Sequence, residues 1–441
     1  MKAFLAVLGV ALAGSMVAVF VILLSPADGP GEARVIVSAA ASTGARTNVL
    51  LDVEGAVIED FTGDCWHSRH PYLCQYVKER LLAEDPQLLT RGGLTIRTTI
   101  DQRLQQAAQR AIDAHVGRDD APVATQVIIV PDEGAIRAMA TSRATSGGPA
   151  LQQGTTAMPY TLAAALAAGL RYDDGFRVSD EYRIPAGASF RDCAGNAAGA
   201  EHIVVNRERD GERFVTLRSG VQGAVNTFFM LLEEKVGLCE TVTAAERLGL
   251  GRADGTPLRQ VPTFTLGVNE TDPVSVANSY ATLAARGRFC EPRVITEIRD
   301  ASGGSHPVPA RCSQVLDPAI ADAVTGALTD APTDAPTDAQ DLGRDAAGMP
   351  GTADGYTAAW YAGYTPALAS AVSLGHPDSP FRHPLIDVTI GGRPYPQVDG
   401  ASIPARIWQA TMTESVQGTP ETRFTPPDPG RFGSCRDACQ N

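Results

Sequence analysis

The sequence is poor in lysine and in aromatic residues, and it has no run of basic residues. Aromatic side chains make up 6% of the 441 residues, and only three of the 37 basic residues are lysines, namely Lys2, Lys78 and Lys235. The formal net charge is −13, whereas a nucleic-acid-binding surface needs a basic face to meet phosphates. The composition therefore argues against nucleic acid as a partner.

The residue patterns of cofactor chemistry are also missing. There is no Gly-rich phosphate loop, and the seven histidines are scattered rather than grouped at metal-ligand spacing. The two nearest pairs, His67 with His70 and His376 with His383, both lie in loop-like sequence. We therefore expect neither a metal nor a cofactor.

The longest apolar run is at the N-terminus. Ala3–Leu24 carries no charge, and as a helix it would extend roughly 33 Å, enough to cross a bilayer. Because Lys2 and the amino terminus precede this run, the rest of the chain is expected outside the cytoplasm. The alternative is a cleaved signal peptide, for which Ser25-Pro26-Ala27 offers a cleavage site. The length of the run favours an uncleaved single-pass anchor.

The eight cysteines suit the oxidising compartment that an exported chain enters. Spacing does not fix the pairing, but proximity ranks the candidates. The ranked pairs are Cys290–Cys312, Cys65–Cys74, Cys193–Cys239 and Cys435–Cys439. The first would staple a hairpin, because Arg293–Pro309 is predicted to form two strands around Ser302-Gly303-Gly304. The alternative is a set of free buried thiols. A catalytic cysteine is not indicated.

Hydrophobic periodicity predicts a mixture of helices and strands. The predicted helices include Tyr72–Ala83, the amphipathic Gln102–Val116 and Ala401–Val416. The predicted strands are Thr47–Asp60 as a pair around Glu54-Gly55, Leu94–Ile100, Thr125–Val130, Ala135–Thr141, Tyr356–Tyr364 and Ala367–Gly375. Asp101 is placed to cap the helix that starts at Gln102.

Composition divides the chain into segments. After the anchor at 1–24, residues 25–46 are rich in Pro, Gly, Ala and Ser and form a predicted linker. A juxtamembrane region at 47–100 precedes the main domain at 101–416, and 417–441 is a Pro-rich tail. Within the main domain, Thr329–Gln340 repeats Thr-Asp-Ala-Pro and is predicted to be a surface loop.

The main domain contains three short segments whose order along the chain is informative. They are Gly154-Thr155-Thr156-Ala157-Met158-Pro159-Tyr160, then Ala224-Val225-Asn226-Thr227, then Gly348-Met349-Pro350-Gly351-Thr352. Together they resemble the penicillin-binding transpeptidase family, whose members carry Ser-x-x-Lys, Ser-x-Asn and Lys-Thr-Gly. Two further stretches are similar to the bifunctional, class A members, namely Gly93–Asp101 and Thr265-Leu266-Gly267 with the residues up to Ala281.

The resemblance covers roughly residues 45–416. It implies an α/β fold with a five-stranded antiparallel sheet sandwiched by helices and the site at the sheet edge. Trp360 and Tyr364, which follow the third segment, are expected in the core rather than against a ligand. The bifunctional members also carry a glycosyltransferase domain. Because only a short segment separates the predicted anchor from residue 45, we expect none here.

The reactive positions of the family hold other residues here. Thr155 stands at the nucleophilic serine and Met158 at its lysine, Ala224 stands at the second serine, and Met349-Pro350-Gly351 replaces Lys-Thr-Gly. Asn226 is retained. We expect Gly351, Thr352 and Asn226 to persist as fold residues, at a strand end and a helix cap. Alternatively, they belong to a cleft that still binds peptide without cutting it.

Acyl transfer needs a nucleophile, a base and cationic groups around the acyl-enzyme. Thr155 keeps a hydroxyl, but its methyl group crowds the attack and Met158 cannot accept a proton. Neither Lys78 nor Lys235 lies near a motif in sequence, and Lys2 belongs to the membrane segment. The sequence therefore offers no confident catalytic residue.

Three hypotheses about function follow. The leading one is a membrane-anchored pseudo-transpeptidase of the bacterial envelope, which acts in peptidoglycan metabolism by sensing a stem peptide or scaffolding cell-wall synthesis proteins. The second is a residual acyltransferase or hydrolase that uses Thr155. The third is an envelope protein with a purely structural role.

Overall fold

The computed structural model describes residues 9–12, 17–20, 47–145, 150–184, 189–199, 202–329, 342–436 and 439. The helices within these ranges are Pro71–Glu84, Leu88–Arg91, Gln102–Asp113, Met158–Ala167, Leu217–Gln222, Asn226–Val236, Leu238–Leu248, Pro273–Ala284, Pro318–Thr329, Ile403–Ser415 and Pro429–Phe432. Single 3-10 turns occur at Gly154–Ala157, Phe264–Leu266 and Asp354–Tyr356.

A five-stranded antiparallel sheet forms the centre of the main domain, as predicted; we call it the central sheet. In spatial order its strands are Ala347–Thr352, Ala358–Tyr364, Ala369–Gly375, Val123–Val130 and Ala135–Thr141. The second and third strands in this order are buried along their whole length, which agrees with their largely apolar sequence. Ala347–Thr352 forms one border of the sheet and is called the edge strand below.

Helices cover both faces of the central sheet. Gln102–Asp113 and Ile403–Ser415 pack on one face, and Pro273–Ala284 packs on the other. Two apolar cores result, one on each face, and Trp360 lies fully buried in the larger one together with Tyr364. The predicted sandwich of helices around a sheet, and the core position of both aromatic residues, are therefore confirmed.

The helix Gln102–Asp113 shows how local sequence fixes one of these layers. Asp101 accepts hydrogen bonds from the backbone N–H groups of Arg103 and Leu104, so the predicted N-cap is confirmed. Its predicted apolar face is buried against the sheet through Leu104, Ala108, Ala111 and Ile112. The cap and the apolar stripe together set where this helix begins and which side it buries.

A second sheet combines strands from residues 47–100 with a hairpin of the main domain. Its strands, in spatial order, are Ser305–Pro307, Ile295–Arg299, Thr95–Thr98, Val49–Leu51 and Val57–Asp60. The remaining strands form short pairs: Gly9–Leu12 with Val17–Phe20, Leu151–Gln152 with Glu270–Thr271, Gly175–Val178 with Arg213–Thr216, Glu181–Arg183 with Ile203–Val205, Arg288–Cys290 with Cys312–Gln314, and Ile386–Ile390 with Arg393–Gln397.

All four predicted disulfides are present. Cys290 and Cys312 lie opposite each other in the ladder of their strands, and the chain between them forms the predicted hairpin Ile295–Arg299 with Ser305–Pro307. Pairing by proximity along the chain therefore succeeded even for Cys193–Cys239, whose cysteines are 46 residues apart.

The predicted N-terminal membrane helix is not shown. Where the structure describes the run Ala3–Leu24, it has two short antiparallel strands at 9–12 and 17–20, and the other residues of the run lie outside the described ranges. Among the described residues, no helix has both the length and the apolar character needed to cross a bilayer. The predicted linker at 25–46 and the predicted loop after Thr329 also lie outside them.

Candidate functional site at the sheet edge

The first and third motif segments meet at the edge strand. Thr155 lies in the 3-10 turn that leads into the helix Met158–Ala167, and its Oγ1 donates a hydrogen bond to the carbonyl oxygen of Pro350 at 2.8 Å. The contact is close on both sides, since a Cβ on Gly154 would lie 2.5 Å from backbone atoms of Thr352. A Cβ on Gly351 would likewise lie 2.2 Å from the carbonyl oxygen of Gln153. The two glycines therefore permit this junction.

Pro350 stands where a proline is tolerated in a sheet. Along a strand, the N–H and the C=O of one residue point to the same side, and the carbonyl of Pro350 points away from the sheet towards Thr155. The missing N–H would therefore have faced the open side of the edge strand, and no ladder hydrogen bond is lost. At Pro350 the edge strand therefore offers no backbone N–H to a peptide bound alongside it. The carbonyl oxygen of Pro350 is already hydrogen-bonded to Thr155.

The two side chains that were predicted to stand at the family's lysine positions lie in an apolar environment. The side chain of Met158 is 0% exposed and that of Met349 is 3% exposed, and both belong to the larger apolar core. A thioether accepts hydrogen bonds only weakly and cannot take a proton at neutral pH. The side chains at these two positions thus supply packing and no charge.

Hydrogen bonds from the helix Pro273–Ala284 hold the turn of Thr155 in place. The Tyr280 hydroxyl donates to the carbonyl oxygen of Thr156 at 2.9 Å, and the hydroxyls of Tyr160 and Ser279 are 2.7 Å apart. Ser279 and Tyr280 belong to the stretch before the third motif whose resemblance to the family was noted in the sequence. Their positioning role depends on contacts more than 100 residues away in sequence, which local patterns do not show.

The second motif segment forms a separate turn. Ala224 has φ +44°, a left-handed conformation that costs a non-glycine residue roughly 1 kcal/mol. The side chain of Asn226 donates to the carbonyl oxygen of Val205 at 3.0 Å. The prediction that Asn226 caps a helix is wrong, because Asn226 is the first helical residue. The cap comes from Asn206, whose Oδ1 accepts from the N–H of Thr227 at 2.9 Å.

A buried carboxylic acid connects the helix Asn226–Val236, which begins at the second motif, with the helix Met158–Ala167, which follows the first motif. Glu233 is 0% exposed, and its Oε2 accepts from the N–H of Thr265 at 2.7 Å. The Thr265 hydroxyl in turn accepts from the hydroxyl of Thr161, on the helix that starts at Met158. Burial raises the pKa of the Glu233 carboxyl well above its usual range, which favours the neutral form of this group in the folded protein. No sequence signal separates Glu233 from its partly exposed neighbour Glu234.

Two of the three lysines lie among the described residues. Lys78 donates to the carbonyl oxygen of Gly63, and Lys235 is exposed in the last turn of the helix Asn226–Val236. Lys2 lies outside the described residues.

The remaining predicted site residues make separate contacts. At the end of the edge strand, the Thr352 hydroxyl accepts a hydrogen bond from the N–H of Gly400 at 3.2 Å. Of the histidine pairs, the rings of His376 and His383 lie 5.3 Å apart.

Comparison with known proteins gives one consistent result. A family model of the penicillin binding protein transpeptidase domain matches residues 125–378. Penicillin-binding protein 1A of Mycobacterium tuberculosis is 29% identical over 365 residues, which are 78% of this chain and 42% of that protein. Penicillin-binding protein 1A of Mycolicibacterium smegmatis is 28% identical over 362 residues, 77% of this chain and 44% of that protein. The chain thus spans less than half the length of these relatives.

The fold is similar to solved structures as well. The penicillin-binding protein PonA1 from Mycobacterium tuberculosis superposes with a TM-score of 0.63 at 27% identity, over 80% of this chain and 93% of that one. The same protein in complex with penicillin V gives a TM-score of 0.62 at 26% identity, over 80% of this chain and 95% of that one.

Proposed function

Because the chain belongs to the penicillin-binding protein transpeptidase family, we propose that it is a pseudo-transpeptidase, which keeps the family fold but binds a peptide without catalysing acyl transfer. The observation that carries this proposal is the environment of Thr155. The Thr155 hydroxyl, which stands at the nucleophile position, donates a hydrogen bond to the backbone carbonyl oxygen of Pro350. The residue one helical turn later is the buried Met158.

The chemistry of acyl transfer explains why this arrangement is inactive. A hydroxyl attacks a carbonyl carbon only when a base takes its proton, and an amide oxygen is not such a base. Neither Met158 nor Met349 provides a cation for the acyl-enzyme, and Ala224 cannot relay a proton. Groups that act as a unit lose many orders of magnitude in rate when members are removed.

The proposed location is the extracytoplasmic side of a bacterial membrane, with the apolar run Ala3–Leu24 as a single-pass anchor. Four disulfides support an oxidising compartment. The relatives named above are penicillin-binding proteins, so the proposed partner is a peptidoglycan stem peptide or a protein of cell-wall synthesis. The binding would place this chain as a sensor or scaffold in peptidoglycan metabolism.

A second candidate is a residual acyltransferase or hydrolase that uses Thr155, and the partial exposure of this residue favours it. Calorimetric titration of the full chain with a synthetic stem peptide, followed by mass spectrometry of the peptide, separates the candidates. We expect saturable binding and an intact peptide. Release of the terminal residue faster than in buffer would establish the enzyme. A peptide that neither binds nor changes would leave the purely structural role.

A further inference from the structure

An ion pair connects two parts of the chain that are 192 residues apart. The guanidinium nitrogen Nη2 of Arg207 lies 2.6 Å from Oδ2 of Asp399. The Arg207 side chain is 64% exposed, whereas that of Asp399 is only 15% exposed. We call this pair the clasp, because Arg207 lies in a segment that contacts the second motif and Asp399 lies in a segment that contacts the third motif.

The Arg207 half of the clasp is attached to the second motif turn. The two residues before Arg207 are Val205, whose carbonyl accepts from Asn226, and Asn206, whose side chain caps the helix at Thr227. The backbone that carries the guanidinium is thereby fixed to the start of the second motif helix.

The Asp399 half is attached to the third motif. Gly400 donates its N–H to the hydroxyl of Thr352, and a Cβ on Gly400 would lie 2.5 Å from the backbone nitrogen of Gly351. This turn is closed by Ser402, whose hydroxyl donates to the carbonyl oxygen of Asp399 and accepts from its N–H. Asp399 is thus held against the end of the edge strand by its backbone, and its carboxylate remains available for Arg207.

We propose that Arg207 is the carboxylate-binding residue of this site, and that Asp399 occupies it in the ligand-free protein. This inference rests on the proposed function, since it names the part of the bound peptide that is recognised. With methionine at 349, the third motif has no cation of its own, and the clasp brings a guanidinium to the junction of the second and third motifs. The ligand group is the C-terminal carboxylate of a peptide.

The exchange of Asp399 for a ligand carboxylate is physically easy. Guanidinium binds carboxylates through a planar fork of donors, and one nitrogen of Arg207 makes the contact with Asp399. Because the Arg207 side of this pair is largely exposed to water, the pair contributes little net free energy, and a second carboxylate can replace the first without a large penalty. The internal acid would therefore weaken ligand binding modestly and exclude weakly bound anions.

The experiment uses the full chain and two probes, a synthetic stem peptide with a free C-terminal carboxylate and the same peptide as a C-terminal amide. We expect the wild type to bind the acid more tightly than the amide. Arg207→Ala should weaken binding of the acid about tenfold, the range of a charge-assisted hydrogen bond, and should not change binding of the amide. Asp399→Asn should tighten binding of the acid about two- to fivefold.

Asp317→Asn is the control, because Asp317 forms an ion pair of similar length with Arg431, at 2.7 Å, on another part of the surface, although Asp317 is more exposed than Asp399. It should leave both affinities unchanged. Equal binding of acid and amide by the wild type, or an unchanged affinity for the acid in Arg207→Ala, overturns the role of Arg207 while peptide binding itself stands. Failure of every variant to bind either probe overturns this role and the proposed peptide binding together.

Discussion

At the residue scale, the two methionines at 158 and 349 are central to the proposal that the site is inactive. Both side chains are buried in an apolar core that continues beneath the turn of Thr155 and the edge strand. Methionine fills such space with a flexible, polarizable side chain and needs no hydrogen-bond partner. A lysine at either position would need a compensating acid or water, which the surrounding apolar residues do not supply.

The first prediction concerns this burial. Met158→Lys should lower the free energy of unfolding by about 3–5 kcal/mol, the usual cost of an uncompensated buried charge. The control Met158→Leu conserves volume and should cost less than about 1.5 kcal/mol. Denaturant unfolding of both variants measures the difference. Equal stability of the two variants would show that position 158 still accommodates a charge despite its apolar surroundings.

The second prediction concerns the buried Glu233. Its pKa is raised in the folded protein, so the folded state keeps a proton that the unfolded state loses above about pH 4.3. Its contribution to stability is therefore complete below that pH and declines by about 1.4 kcal/mol per pH unit until the folded-state pKa is reached. Glu233→Gln removes this decline, because the amide stays neutral and can still accept from Thr265.

Unfolding free energies of the wild type and Glu233→Gln, measured from pH 4 to pH 8, test this prediction. We expect the variant to gain on the wild type as the pH rises. Parallel curves over the whole range would mean that Glu233 ionises in the folded protein as freely as in the unfolded one.

At the scale of elements, the edge strand and the second motif turn differ in how they are held. The edge strand is fixed by its sheet neighbour and by Thr155, which lies beside it. The second turn depends on a single side chain, Asn206, for the cap of its helix. A helix N-terminus without such an acceptor leaves backbone N–H groups unsatisfied.

The third prediction follows from this cap. Asn206→Ala should cost about 1 kcal/mol of stability, as loss of an N-cap acceptor usually does. Asn226→Ala should cost less, because Asn226 only donates to a carbonyl oxygen near the surface. Thermal or denaturant unfolding compares the two variants. A larger loss for Asn226→Ala would restore the sequence-based expectation that Asn226 is the cap.

The fourth prediction concerns the hairpin between Cys290 and Cys312. Replacing both cysteines by alanine opens a loop spanning 22 residues and should lower the free energy of unfolding by about 2–4 kcal/mol. Replacing Cys435 and Cys439 in the same way provides a control with a span of only 4 residues, for which a smaller loss is expected. A larger loss for this short loop would contradict the dependence on loop length.

Patterns within one element predicted much of this structure. Apolar runs predicted strands of the central sheet, and Asp101 predicted the start of a helix. Proximity along the chain predicted the four disulfides. The cap by Asn206 and the burial of Glu233 were not predictable, since both depend on partners brought together only by the folded chain. The clasp between Arg207 and Asp399 could not be predicted from the sequence for the same reason.

At the scale of the whole molecule, the fold depends on packing rather than on the site. Apolar cores on both faces of the central sheet contain residues from nearly every large helix, and Met158 and Met349 pack into the larger core as ordinary apolar residues. A family fold can be kept while the residues of its site change, because function resides in a few side chains placed on the scaffold.

The central claim is that this transpeptidase fold has no working nucleophile, and its most direct test is intact-mass spectrometry of the full chain after incubation with penicillin. A β-lactam acylates the nucleophile of a competent site and adds its own mass to the protein. We predict an unchanged mass, because Thr155 has no base and Met158 and Met349 provide no charge. A stoichiometric adduct that peptide mapping places on Thr155, and that disappears in Thr155→Ala, would contradict this claim.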